Sequence, residues 1–156
     1  MEKFDYRKEL EKNNAIAIVP TGNSMWPTLK NRKQSVIINK KTQRLKPLDV
    51  VLYERENGDY VLHRVIEVSD KGYVTCGDSQ TYLEDVKEDA VIGVMTSFYH
   101  GKECVEVSNP KYINKVKKWY KNEKRRQRKI KRYFSIQKIK WKFKYVIKRI
   151  VGKKNV

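Results

Sequence analysis

From Ala15 to Val107 the chain is a succession of short apolar runs cut by turn residues, and this rhythm restricts its fold more than any other feature. The runs are Ala15–Val19, Ser35–Asn39, Asp49–Glu54, Tyr60–Val68, Tyr73–Cys76, Ala90–Tyr99 and Glu103–Val107. Val, Ile, Tyr and Thr dominate them, as suits a pleated, half-buried surface. Asn57-Gly58 between the third and fourth runs is a strong hairpin signal, and Gly72 and Gly101 mark two further reversals. Strands of this length at this spacing predict a mainly β body, a small sheet that curls on itself and partly closes. A short helix is expected before it, over residues 2–13, carrying Phe4, Tyr6 and Leu10 and ending near Asn13-Asn14.

Charge divides the chain at the end of this β region. Residues 1–110 carry 16 Lys and Arg against 17 Asp and Glu, whereas residues 111–156 carry 20 against one, so the net charge of +18 resides in the last third. The expected organisation is a nearly neutral catalytic or binding domain, 1–110, and a basic helical tail, 111–156. Within the tail, Tyr112, Ile113, Val116, Trp119 and Tyr120 recur at helical spacing over residues 111–122. After the basic run Lys124–Lys129, a second helix is expected over Ser135–Val151. Ile136, Ile139, Phe143, Val146, Ile147 and Ile150 form its stripe, Lys140 intrudes on it, and Trp141 and Tyr145 lie off it. Cys76 and Cys104 have neither metal-site nor disulfide-framework spacing, and reduced thiols in a cytoplasmic protein are expected. The longest apolar run near the start, Ala15–Val19, is far short of the roughly 20 residues of a spanning helix, so neither an export signal nor an anchor is expected.

The first strand runs into Thr21-Gly22-Asn23-Ser24-Met25-Trp26-Pro27-Thr28-Leu29, which sets a serine just past a strand end beside a glycine. Alone, this stretch reads more readily as a polar turn in which Gly22, Asn23 and Pro27 reverse the chain. Three later segments change that: Leu48-Asp49-Val50-Val51-Leu52-Tyr53, Val61-Leu62-His63-Arg64-Val65-Ile66 and Cys76-Gly77-Asp78-Ser79. Together, and in this order, the four segments resemble the boxes of the signal peptidase I and LexA-type serine peptidase superfamily, over about Val19 to Val94. In many members the residue before Arg-Val is a lysine base; here it is His63, which is similar to the histidine branch of signal peptidases. The resemblance implies a Ser-His-Asp arrangement of Ser24, His63 and Asp78, with no metal or cofactor. Glu84 or Asp85 are alternatives for the acid, because some histidine-type relatives carry theirs a few residues further on. It also implies an oxyanion donor at the backbone N–H of Ser24. Many bacterial relatives place a hydroxyl where Gly22 stands, so Thr21 or Asn23 is expected to substitute.

The residues themselves make chemical sense of this. A serine hydroxyl needs a base, a fixed orientation for that base, and donors for the oxyanion. Strand alternation puts His63 on one face with Val61 and Val65, and Leu62, Arg64, Ile66 and Val68 on the other. Apolar neighbours favour the neutral imidazole that a base requires. His100, in a turn, is expected to face solvent, and Asp49 to serve the fold.

The expected function is cleavage of a leader or precursor peptide on the cytoplasmic side. One alternative is an autoproteolytic regulator of LexA type, disfavoured because no helix-turn-helix precedes Ser24 and the base is not lysine. The other is a non-catalytic module acting through the basic tail. For residues 124–156 three readings stand: an anionic membrane surface, nucleic acid, which is less favoured, or a helix packed on the body or solvated.

Overall fold

The computed structural model describes residues 4–151, with side-chain surroundings through Lys144. Eight strands form one antiparallel sheet: β1 (Ala15–Ile18), β2 (Val36–Lys40), β3 (Val50–Glu54), β4 (Tyr60–Ser69), β5 (Gly72–Cys76), β6 (Glu84–Lys87), β7 (Val91–His100) and β8 (Glu103–Glu106). Their order is β1-β2-β7-β3-β4-β5-β6, with β8 beside β7. Seven of them answer to the apolar runs. Only β6 was illegible, since Glu84-Asp85-Val86-Lys87 has one apolar residue and becomes a strand by pairing with β5. The expected partial closure is corrected to an open sheet: closure needs a ladder between the end strands, and among the described residues none joins β6 to β1.

Local chemistry accounts for the joints. The β3–β4 hairpin turns through Asn57-Gly58, with Gly58 at φ +80° and Arg55 N–H donating to the Asp59 carbonyl at 2.9 Å, which sets Val51 opposite His63. Helix α1 (Tyr6–Asn13) starts where the Asp5 carboxylate accepts from the Arg7 and Lys8 N–H groups, each at 3.1 Å, and stops at Asn14 in the left-handed region. Its Leu10 is fully covered, and Arg7 donates to the Asp89 carbonyl at 3.0 Å.

One face of the sheet buries Leu45, Val51, Tyr53, Val65, Tyr73, Val86 and Val91. Val61 and Val68 pack against this cluster. Strict alternation would have put Val68 on the other face. A bulge in the β4–β5 ladder between Val65 and Glu67 inserts one residue and brings it back.

The chain forms two compact units, one ending at Lys118 and one beginning at Trp119, so the boundary lies beyond the expected residue 110. The cause is α2 (Pro110–Tyr120): Asn109 receives the Lys111 N–H at 2.8 Å, Tyr112 and Val116 are buried, and the Tyr112 ring lies 5.7 Å from that of Phe98. The second unit carries α3 (Glu123–Val151), which begins well before the expected Ser135. Asn122 explains the early start, because its side chain accepts from Arg125 N–H at 2.9 Å and Glu123 stands in the first turn, where the helix dipole favours an acid. The expected stripe positions Val146, Ile147 and Ile150, and Tyr145 beside them, lie outside the described side chains. Among the described residues no helix is long and apolar enough to cross a membrane.

Candidate active site

A cleft of about 360 Å³ opens beside the end of β1 and the β3–β4 hairpin, and Ser24 and His63 both line it. Ile18, Val19, Tyr60 and Tyr82 form part of its wall.

The Ser24 loop is held from below by the fourth box. Ser79 donates its N–H to the Ser24 carbonyl at 2.8 Å and its hydroxyl to the Asn23 carbonyl at 2.7 Å. Gly77 permits that approach: a Cβ there would lie 2.8 Å from the Ser24 carbonyl oxygen, a contact real side chains do not make. Within the loop Met25 and Leu29 are buried, and the Leu29 N–H donates to the Met25 carbonyl at 2.8 Å. A Gly77→Ala variant should therefore push Ser24 out of place, and any cleavage that depends on Ser24 should fall about 100-fold. Steady-state kinetics beside far-ultraviolet circular dichroism checks this, since a purely structural glycine would change stability with little change in kcat per folded molecule.

Asp78, expected to orient His63, faces elsewhere. It is fully buried and its carboxylate takes a bidentate pair from Arg64, Nε to Oδ1 and Nη2 to Oδ2, both at 2.7 Å. Thr28, from the serine box, also donates to Oδ2, and Arg64 continues to the Leu48 carbonyl at 2.7 Å and the Tyr112 hydroxyl at 3.3 Å. Asp78 thus ties the Ser24 loop to β4 and reaches His63 through charge. The physical reason is strand alternation. Arg64 and His63 leave β4 on opposite faces, and Asp78 lies on the arginine's side.

The carboxylate on the histidine's side is Glu84. His63 is 2 % exposed, and its Nδ1 lies 3.3 Å from Glu84 Oε2 and 3.1 Å from the Tyr53 hydroxyl. Tyr53 in turn donates to Glu84 Oε2 at 2.5 Å, and Arg55 grips the carboxylate through Nε at 2.7 Å and Nη2 at 2.9 Å. Asp85, the neighbour of Glu84 on a strand, is exposed. Tyr53 stood in the sequence only as the end of the second of the four segments, with no role, and Arg55 had none either. The readable signal was the alternation of β3, which puts Val51 and Tyr53 on the face that His63 shares across the ladder.

These contacts set the protonation of the imidazole. The tyrosine proton is spent on Glu84, so the Tyr53 oxygen accepts from Nδ1–H and the lone pair is left on Nε2. Burial holds the imidazole below its usual pKa, with the Glu84 charge opposing that and the Arg55 charge adding to it. Burial also works against the Glu84 charge, yet hydrogen bonds from Arg55 and Tyr53 prevail and keep the carboxyl below the usual range. The Tyr53 hydroxyl, desolvated and beside a carboxylate, is pushed well above an ordinary phenol and stays protonated. The result is a neutral imidazole with a base nitrogen at neutral pH and an anion waiting on its other side, which is the arrangement that accepts a proton from a hydroxyl.

Thr21 and Ser24 line the cleft, whereas Asn23 is not among the lining residues and its carbonyl accepts from Trp26 N–H at 3.0 Å. Of the two residues expected to replace the missing hydroxyl, Thr21 is one that lines the cleft. His100 is exposed at the end of β7, with Nδ1 3.5 Å from Gln34 Nε2. Asp49 receives the Lys46 N–H at 2.9 Å in a turn, and Cys76 and Cys104 are free thiols, the first buried and the second exposed. No family model matches the chain, and no curated protein matches it.

Proposed function

We propose that this chain is a serine endopeptidase with a signal-peptidase-like catalytic body, cleaving a peptide bond in a leader or precursor peptide on the cytoplasmic side of the membrane. Ser24 attacks the carbonyl while His63 Nε2 takes its proton, Glu84 holds the imidazolium so formed, and that proton passes to the leaving amine. The acyl group left on Ser24 is then released by a water that His63 deprotonates in turn. Asp78 keeps the nucleophile loop in register, a supporting role in place of the orienting one first expected of it. The oxyanion is received by the Ser24 N–H, with Thr21, which also lines the cleft, as the second donor. The observation that carries this reading is a buried histidine lining one cleft with Ser24 while Glu84 and Tyr53 hold its other nitrogen.

The test is cleavage of a pool of synthetic leader-like peptides, read by mass spectrometry. Ser24→Ala and His63→Ala should each abolish the cleavage that the unaltered protein shows, with unchanged circular dichroism. His63→Lys should not restore it, because an ammonium on a longer stem needs its own burial to serve as base. Cleavage at the unaltered rate by either alanine variant would remove the proposal.

A further inference from the structure

Helix α3 bears a surface that peptide cleavage does not use. From residue 124 onward the chain contains no Asp or Glu. Among its described side chains, Phe134, Ile136, Ile139, Trp141 and Phe143 all stand in solvent, the last two at 67 % and 66 % exposure. So many large apolar groups exposed within about three turns mark an interaction surface. At 100° per residue, Ile136, Ile139 and Phe143 fall within a sector of roughly 60°. Lys140 borders that sector, and Trp141 and Phe134 lie across the helix from it, among Lys138 and Lys142.

We infer that α3 is a docking element for an anionic phospholipid bilayer, lying in the plane of the headgroups. Two properties of the helix must be met by one partner, and the bilayer surface meets both. Its charge complements a helix with no acid beyond Glu123, and its acyl boundary accepts the Ile136, Ile139 and Phe143 side chains. Lysines bordering the buried sector, Lys140 among them, bury their stems and keep their ammonium groups in the headgroup layer. Nucleic acid supplies phosphates but no apolar bed for two isoleucines. A second copy would bring a helix of the same sign against this one.

The inference stands apart from the peptidase reading, since binding is measured with no substrate present. Full-length protein is sedimented with phosphatidylcholine vesicles with or without phosphatidylglycerol, across a salt series. Binding should require phosphatidylglycerol and weaken steeply as salt shortens the screening length. A residue of it should persist near 1 M salt, where that length is about 3 Å, because the apolar contacts are not screened. The double variant Ile139→Gln, Phe143→Gln removes apolar area at constant charge with good helix formers. It should lose vesicle affinity by about 100-fold while binding single-stranded RNA no differently from the unaltered protein. The inference is overturned if the full-length protein ignores phosphatidylglycerol vesicles at low salt, if no binding survives high salt, or if the double variant sediments like the unaltered protein. RNA binding tighter than vesicle binding, with both proteins alike, assigns the helix to nucleic acid instead.

Discussion

Replacing Glu84 by Gln should reduce kcat by about 10³- to 10⁴-fold while leaving the protein folded, the largest catalytic effect expected of any residue other than Ser24 and His63. The amide is isosteric, so the Arg55 and Tyr53 contacts change little in shape, but the anion that stabilises the imidazolium is gone. An amide N–H aimed at Nδ1 would also favour the wrong tautomer. The pH profile separates this from a loss of packing. A base works unprotonated, so the rate rises with pH through the His63 pKa. Burial depresses that pKa, and the acid limb of the unaltered protein should therefore lie below the roughly 6.5 of a free imidazole. The Glu84 charge raises the His63 pKa, so removing it should move the limb further toward acid even as the plateau falls. A limb that stays in place, or moves toward alkaline pH, would mean that Glu84 is not the charge His63 feels. Asp85→Asn, on an exposed position, should change kcat by less than about twofold, as surface substitutions do.

Asp78→Asn should act mainly on stability. Arg64 and Asp78 are both fully buried, and neutralising one member leaves the other charge uncompensated in a medium that cannot solvate it. The expected cost is about 3 to 5 kcal/mol in urea unfolding, a large part of a small domain's stability. Arg64→Leu combined with Asp78→Leu should be less destabilised than the sum of the two single changes, because a buried pair removed whole leaves no orphan charge. Catalysis per folded Asp78→Asn molecule should fall by about 10- to 100-fold through the loosened Thr28 anchor, well short of the Glu84 effect. If instead Asp78→Asn folds normally and loses 10⁴ in kcat, the roles of the two acids are reversed.

What could be read from the chain were the features that neighbouring residues decide among themselves. Alternation of apolar residues and the Asn57-Gly58 turn located seven strands, since side-chain period and turn conformation act over a few bonds. The Ser24 and His63 segments stood out in the same way, as short stretches, and the fold brings both to one cleft. Charge counting separated a neutral body from a cationic tail, but it set the division at residue 110. The Tyr112 ring against Phe98, with its hydroxyl on Arg64, shows that α2 as far as Lys118 belongs with the first unit. Which acid meets which base was beyond the sequence, because Asp78, Glu84 and Asp85 are chemically near-equivalent and sit within a few residues of one another. Their partners depend on which faces the strands present after pairing. β6 exists only through its ladder to β5, and that ladder turns Glu84 toward Tyr53 and His63, while the loop after β5 sends Asp78 to Arg64 on the other side. A carboxylate's role is set by the charge and hydrogen-bond donors within a few ångströms of it, and those come from strands distant in sequence, so tertiary structure alone decides it.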